Sequence, residues 1–424
     1  MKQTAAAVLM LLFLLAACSP APEVVPTPTA APTPSPAPEP TPTELASSPW
    51  LEDYNYFWDV IEENYPFYNA VKRITGNDLA KTREFYLAQA QEATSAQELY
   101  TVLSRCDREF HGVGHFCVMS PNFYAQHMDS YQHNLGDPKI DYLYARISAP
   151  ATLDFYNYTL PSTPSASTDS ASETPSSNAD TGNLHFTDFA EDKISCVSVR
   201  RMTGSWQNDD ASVLADYFRR LEAEGYTDCI VDIRGNGGGD TTYWENNIVA
   251  PNISDPLFNT NYVLFKGSET ASYFTACNIE TLPILELPVD ELPALHPDDL
   301  DGITCWQQFT SGTEPTLDAP LFTGRFWLLV DARNYSSSEA FAVFCKGTGF
   351  ATLVGTPTGG DGIGFNPLLT ALPNSGIVFR FSTVNGLNPD GSCNEEYGTT
   401  PDIVIEAGQD ALEVCLEAIS AEND

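Results

Sequence analysis

The sequence predicts an α/β (α+β) protein in which a helical N-terminal subdomain precedes a mainly parallel sheet with covering helices. Two observations predict this fold class. Aromatic and aliphatic residues recur at helical spacing over residues 50–61, and helical patterns continue to about residue 121. From about Leu184 the pattern changes, and short apolar strands alternate with amphipathic helices. Strands that are separated by helices usually pair in parallel and carry those helices on their faces.

Residues 1–17 are typical of a lipoprotein signal peptide. Lys2 supplies a minimal positive start, and residues 5–15 are apolar but too short to span a bilayer. Two alanines precede Cys18, which resembles the lipobox of bacterial lipoproteins, where the cysteine becomes the lipidated first residue. An ordinary signal peptide that contains a cysteine is the alternative. We therefore expect an extracytoplasmic protein that a lipid on Cys18 anchors to the bacterial cell membrane.

Composition divides the rest of the chain. Residues 18–48 are rich in Pro and Thr and have no apolar period, so they are predicted to form an extended tether. The predicted regions that follow are a helical N-terminal subdomain at 49–121, a variable region with a Ser/Thr/Pro-rich linker at 122–183, and an α/β domain at 184–424.

Charge and cysteine usage exclude several classes of function. The net charge of −37 has the wrong sign for binding nucleic acid or an anionic membrane surface. Of the ten cysteines, nine remain besides Cys18, and no two of them have CxxC spacing, so no zinc site is predicted. We expect neither a metal nor a cofactor. Outside the cytoplasm some cysteines can form disulfides, and Cys106 and Cys117 are the local candidates.

The helical subdomain has recognisable boundaries. Its first helix is interrupted before Pro66, a second is predicted over residues 78–91, and a third begins at the capping box of Ser95 and Glu98. A loop with glycines and histidines follows at residues 111–116.

In the α/β domain, strands and helices alternate. The predicted strands are 194–199, 229–233, 262–266, 324–330, 351–355 and 376–382, the predicted helices are 211–224, a segment after Ser336 and 411–419, and residues 278–320 are a predicted surface insertion.

Two chemically suggestive segments directly follow strands. A glycine run follows residues 229–233, and three serines beginning at Ser336 follow residues 324–330. Chemistry in parallel sheets is concentrated at the carboxyl ends of the strands, so both segments can lie on one edge. Ser336 can be a nucleophile at a helix N-terminus, or it can simply start a capping box with Glu339. The glycines can expose amides for an oxyanion, or they can form a tight turn. They lack the GxGxxG order, and no Walker lysine follows.

Four motifs in a fixed order carry a more specific resemblance. They are Val231-Asp232-Ile233-Arg234-Gly235-Asn236-Gly237-Gly238-Gly239, Ser336-Ser337-Ser338-Glu339-Ala340-Phe341, Leu353-Val354-Gly355-Thr356-Pro357-Thr358-Gly359-Gly360 and Gly398-Thr399-Thr400-Pro401-Asp402-Ile403-Val404. Together they resemble the tail-specific protease superfamily, which includes the C-terminal processing proteases, tricorn protease and the interphotoreceptor retinoid-binding protein. The resemblance covers about residues 184–405 and implies a crotonase-like catalytic core.

The resemblance also implies roles for individual residues. Ser336 matches the nucleophile, and the backbone amides of Ser337 and of Gly237 or Gly238 match the oxyanion hole. In the processing proteases a lysine is the base, but Asp361 occupies that place here, and a carboxylate is a poor base for serine.

The resemblance to the tricorn-like branch implies a histidine base instead. His115 is the candidate, because imidazole exchanges protons near neutral pH, and His111 is the runner-up. Glu395 matches a glutamate that orients or stabilises the imidazole, with its neighbour Glu396 as the alternative. Tricorn protease has a serine immediately before its histidine, whereas this chain has Gly114.

These features predict a serine-type peptidase that cleaves peptide or protein substrates through an acyl-enzyme. The alternative is a catalytically inactive ligand- or peptide-binding lipoprotein on the same fold, because fold alone does not establish activity. No PDZ domain is evident in residues 122–183, so selection of free C-termini is not expected. The sequence does not predict an oligomeric state.

Overall fold

The computed structural model of the protein describes residues 48–160, 182–204 and 208–423. The predicted signal peptide with Cys18, the tether up to residue 47 and linker residues 161–181 lie outside the described residues. The helices are α1 Pro49–Asn64, α2 Tyr68–Thr75, α3 Leu79–Glu92, α4 Ala96–Cys106, α5 Pro121–His133, α6 Pro138–Ile147, α7 Pro150–Tyr156, α8 Asp210–Glu224, α9 Thr242–Trp244, α10 Ser268–Ala276, α11 Ser337–Thr348, α12 Asn394–Tyr397 and α13 Ala411–Asn423. The strands are β1 Cys117–Val118, β2 Leu184–Phe189, β3 Ile194–Val199, β4 Asp228–Asp232, β5 Leu257–Phe265, β6 Leu282–Pro283, β7 Cys305–Thr313, β8 Arg325–Val330, β9 Ala351–Gly355, β10 Leu368–Ala371, β11 Val378–Phe381, β12 Asn385–Leu387 and β13 Ile403–Val404.

A six-stranded sheet in the order β13-β9-β8-β4-β3-β2 forms the centre of the α/β region. All neighbouring pairs in it are parallel except β2 and β3. Alternate residues of a strand point to opposite faces. Accordingly, Val231 packs on one face with α8 and α11, whereas Ile230 packs on the other with α13. The predicted α/β fold class, with a mainly parallel sheet covered by helices, is confirmed.

The register of the central strands determines where the loops after their carboxyl ends meet. Asp232, the last residue of β4, pairs with Leu329 of β8, and Val330 pairs with Gly355, the last residue of β9. The three strands therefore end at nearly the same level. Because they are parallel, the segments that follow them leave from one edge.

The N-terminal helices share their core with a second, antiparallel sheet. Strands β1, β11 and β10 form this three-stranded sheet. Phe57 and Trp58 of α1 are fully buried, and the Phe57 ring lies 4.8 Å from the ring of Phe379 in β11. Helices α1, α3 and α4 agree with the sequence pattern. Helix α2 and the helices of residues 121–156 were not predicted individually, because the sequence there has little clear apolar period.

Residues 278–320 are more ordered than a surface insertion would be. They contribute β6 and β7 to a four-stranded antiparallel sheet in the order β12-β5-β7-β6. The register of β5 and β7 runs from Leu257 opposite Thr313 to Phe265 opposite Cys305. Strand β7 was not predicted, because proline and acidic residues dominate the connecting turns around it.

The loop between α4 and β1 carries both candidate histidines. The Asp107 carboxylate accepts a hydrogen bond from the backbone N–H of Val118, which closes the loop at its base. Cys106 and Cys117 flank the same loop, but both are free thiols, as are the other seven cysteines of the described residues. Within the described ranges, no helix is long and apolar enough to cross a membrane.

We predict that Asp107→Asn stabilises the protein above neutral pH. Burial raises the pKa of Asp107 to about 7, so the native state holds a proton that the unfolded state releases near pH 4. Stability is therefore lost as pH rises from about 4 to about 7. Asparagine keeps the acceptor for Val118 and cannot ionise. Urea unfolding should show a gain of about 2 kcal/mol at pH 8, roughly half of the full linkage value.

At pH 4 the same variant should gain nothing. Asp154→Asn, which changes an exposed carboxylate of α7, serves as the matched control and should show no such pH-dependent gain. Equal stability of Asp107→Asn and the parent protein at pH 8 would contradict the burial argument.

Candidate active site

Ser336 lies in a strained turn between β8 and α11. Its backbone has φ 59° and ψ −123°, a combination that non-glycine residues rarely adopt and that costs about 1–3 kcal/mol. It is the N-cap residue of α11, but its side chain makes no capping hydrogen bond. Its own N–H donates to Gly360 O at 3.2 Å. The strain therefore presents the hydroxyl without engaging it in a helix cap.

The capping box with Glu339 is not formed. Glu339 is fully buried and accepts hydrogen bonds from Asn394 Nδ2 (2.9 Å) and Thr399 Oγ1 (2.7 Å). Burial raises the pKa of this carboxyl group. The Glu339 side chain thus ties α11 to the segment around α12, which leaves the hydroxyl of Ser336 free for another role.

The glycine run and the serine turn lie against each other, as their positions after parallel strands predicted. Ser338 Oγ donates to Asn236 O at 2.5 Å. Gly238 has φ +94°, and a Cβ there would lie 2.5 Å from Tyr335 O and 2.8 Å from Ser337 N. Only a residue without a side chain permits this approach, so glycine is needed for the contact rather than for a tight turn alone.

The two candidate glycine amides differ in their surroundings. The Gly238 N–H already donates to Asn236 Oδ1 at 2.9 Å. Gly237 is exposed, and a Cβ there would meet no atom within 4 Å. An oxyanion contact from Gly238 would require sharing its hydrogen with Asn236, whereas Gly237 lies on the open part of the loop.

His115 is held next to the serine turn by Tyr335, the residue before Ser336. The His115 N–H donates to Tyr335 Oη at 3.1 Å, and the two ring centroids are 4.7 Å apart. From the other side, Tyr65 Oη donates to Val113 O at 2.7 Å and fixes the loop to the aromatic core. His111, the runner-up, is exposed on the same loop.

The imidazole of His115 has a carboxylate partner. Its Nδ1 lies 2.5 Å from Asp361 Oδ2 and 3.1 Å from Ser382 Oγ, and that hydroxyl donates to Asp361 Oδ2 at 2.6 Å. Both of these contacts are made by Nδ1. Among the described residues, no hydrogen bond joins the imidazole to Ser336 Oγ. Catalytic hydrogen bonds are often long without substrate, so Nε2 stays available as a proton acceptor.

Glu395, the predicted partner of the imidazole, contacts Tyr335 instead of the imidazole itself. It accepts hydrogen bonds from Tyr335 Oη (3.0 Å) and from the Gly114 N–H. Burial, followed by the nearby charge of Asp361, raises its pKa well above the ordinary value. Glu396, the alternative, accepts a hydrogen bond from Arg73 Nε at 2.9 Å and is thus engaged elsewhere.

Sequence reasoning missed two groups at the imidazole. The sequence showed that Asp361 occupies the position of the lysine base, but this residue was considered only as a base and not as a partner of the imidazole. Ser382 gave no signal, because it follows a distant strand. A serine could not replace Gly114 without displacing Phe67, since a Cβ would lie 2.4 Å from its Cδ2. The hydroxyl that contacts the imidazole comes instead from Ser382.

The described residues contain no group of three or more His, Cys, Asp or Glu side chains that could hold a metal ion.

Comparisons with known proteins relate this arrangement to solved folds. A candidate peptidase from Parabacteroides merdae is similar, with 18% identity, 88% of this chain and 97% of that chain covered, and a TM-score of 0.53. Mature CPAF in complex with lactacystin is similar at 13% identity, with 89% and 97% covered and a TM-score of 0.51. At these identities the likeness concerns the fold alone. No curated protein matches the chain.

The sequence profile of Peptidase family S41 matches residues 180–405. This region includes β3, β4, β8, β9 and α11, and with them the glycine run, the serine turn and Asp361. It also exceeds half of the 424 residues. The resemblance to the tail-specific proteases is thereby confirmed, and the chain belongs to Peptidase family S41.

Proposed function

We propose that the protein is a serine-type endopeptidase that hydrolyses peptide bonds of a peptide or protein substrate through an acyl-enzyme. One observation carries the proposal. A strained serine with an uncapped hydroxyl lies beside a carboxylate-paired histidine that is 221 positions earlier in the chain, with Tyr335 between them. A merely structural serine turn would not need this convergence.

In the proposed mechanism, Ser336 Oγ attacks the carbonyl carbon of the scissile bond while His115 Nε2 accepts its proton. The tetrahedral intermediate then collapses, and His115 donates that proton to the leaving amine. Water enters, loses a proton to His115 and attacks the acyl-enzyme. Return of the proton to Ser336 Oγ releases the second product and restores the enzyme.

Backbone groups would stabilise the negative charge of each tetrahedral intermediate. The Ser337 N–H is at the first turn of α11, where unpaired amides and the helix dipole favour an anion. The second donor would be the amide of Gly237 or Gly238 on the adjoining loop. The glycine loop packs directly against the start of α11, which would bring the second donor close to the Ser337 N–H.

We also propose that the enzyme acts at the bacterial cell surface, anchored by a lipid on Cys18. The support is the sequence alone: a short apolar segment, small residues before the cysteine, and a Pro/Thr-rich stretch behind it. Such a tether would hold the peptidase away from the membrane while keeping it in reach of extracytoplasmic substrates.

We predict that Ser336→Ala and His115→Ala each lower the hydrolysis of a mixed-sequence peptide library by about 10³-fold or more. Alanine removes the nucleophile in the first variant and the proton acceptor in the second. Cleavage is followed by mass spectrometry. In parallel, a fluorophosphonate probe should label the parent protein and fail to label Ser336→Ala.

Two variants serve as matched controls. Ser272→Ala changes an exposed hydroxyl of α10, and His111→Ala changes the exposed histidine of the same loop. Both should retain the parent rate. Full turnover by Ser336→Ala or His115→Ala would remove that residue from the mechanism. A parent protein that neither cleaves nor labels would favour the ligand- or peptide-binding alternative.

We predict that Cys18→Ser moves the protein from the membrane fraction to the soluble fraction of the producing cells. Acyl chains contribute about 0.8 kcal/mol per buried CH₂ group, so their loss removes the anchor. Fractionation and metabolic labelling with a fatty acid measure the change. Cys277→Ser, a partly buried thiol, is the control and should stay in the membrane fraction. Unchanged labelling of Cys18→Ser would show that this cysteine is not the lipid site.

A further inference from the structure

Two buried carboxylates lie close to the candidate base, and only one of them touches it. Asp361 Oδ2 is 2.5 Å from His115 Nδ1, and its side chain is 6% exposed. Glu395 reaches the same region only through Tyr335 Oη and the Gly114 N–H. Sequence motifs favour Glu395 as the partner of the imidazole, whereas the contacts favour Asp361.

One oxygen of Asp361 has several polar neighbours. Besides Nδ1, its Oδ2 accepts a hydrogen bond from Ser382 Oγ at 2.6 Å, and Tyr335 Oη is 3.4 Å away. Because Asp361 Oδ2 is the acceptor for Ser382 Oγ, its contact with Nδ1 is satisfied when the neutral imidazole carries its proton on Nδ1 and leaves Nε2 bare.

The backbone around Asp361 forms hydrogen bonds with the serine turn. Gly359 N–H donates to Asn334 O at 2.7 Å, and Gly360 O accepts from the Ser336 N–H at 3.2 Å. Gly362 N–H donates to Asn394 Oδ1 at 3.0 Å. Asp361 itself has φ 52°, in the left-handed region that aspartate tolerates better than most residues. These bonds set the position of the carboxylate relative to Ser336.

Glu395 contacts the histidine loop but not the imidazole. Burial, followed by the nearby charge of Asp361, raises the pKa of its carboxyl group well above the ordinary value. Other titratable groups near it include Glu339, Tyr335, Tyr65 and Cys393. Its hydrogen bonds come from Tyr335 Oη and the Gly114 N–H, so it supports the loop without touching the imidazole.

We infer that Asp361 is the positioning residue that holds His115 in its Nδ1–H tautomer, and that Glu395 acts only indirectly, by fixing Tyr335 and the Gly114 amide. This assignment rests on the proposed function for its catalytic meaning. It replaces the expected Glu395–imidazole contact with an Asp361–imidazole contact in which Ser382 is the accessory donor.

The decisive measurement is the tautomer of His115, read from ¹⁵N shifts of histidine-labelled full-length protein above the titration range of the ring. The His115→Gln spectrum identifies the resonances. The unmutated protein should show the Nδ1–H form. In Asp361→Asn this tautomer should no longer predominate. Glu395→Gln should keep it, because glutamine preserves an acceptor for Tyr335 and the Gly114 amide.

Kinetics supply the second readout. Asp361→Asn should lower kcat of peptide hydrolysis at pH 7 by about 10³-fold or more with little change in KM, and Glu395→Gln by no more than about tenfold. Asp361→Asn should also change the acidic limb of the pH–kcat profile, which a purely structural residue would not move. Asp154→Asn, on the exposed face of α7, is the matched control.

Each outcome decides. An Nε2–H tautomer in the unmutated protein overturns the inference even if Asp361→Asn does not fold. So does a Glu395→Gln variant that loses the Nδ1–H form or as much activity as Asp361→Asn. If the parent protein shows the Nδ1–H form and loses it in Asp361→Asn but cleaves nothing, the proposed function fails while the assignment of Asp361 stands.

Discussion

The arrangement of the site depends on the buried side chain and backbone of Asn334. This residue is fully buried, and its Nδ2 donates to Ile233 O and, at 3.3 Å, to Asn236 O. Its Oδ1 accepts from the Asp331 N–H at 2.7 Å, and its backbone O accepts from the Gly359 N–H at 2.7 Å. One asparagine thus joins the segments that follow β4, β8 and β9. Because unpaired polar groups are costly in the interior, these bonds are hard to break singly.

That constraint explains why the strained serine persists. The N–H of Ser336 donates a hydrogen bond to the Gly360 carbonyl, and the glycine loop packs against the serine turn. A turn that cost about 1–3 kcal/mol would relax if its neighbours could move. The surrounding bonds keep it in place, and its hydroxyl is therefore available instead of being used to cap α11.

The histidine reaches this site through aromatic packing in the helical region. The rings of Phe110 and Phe116 stack at 3.6 Å between centroids on either side of the histidine loop, and Tyr65 contacts both. The short pairing of β1 with β11 continues the same support. The aromatic residues that identified the first helix by their spacing therefore have a second consequence, since their core places His115 beside Tyr335.

The sequence by itself determined the class of fold, the order of the main strands and helices of residues 184–424, and the candidate nucleophile with its glycine loop. These are local features, because periodicity, glycine content and a motif after a strand depend on neighbouring residues. Which carboxylate meets the imidazole was decided only by the tertiary structure. Asp361, Ser382 and His115 come from three distant segments, and their contact depends on how the loops pack. A motif can name Glu395, but it cannot show that Tyr335 stands between Glu395 and the imidazole.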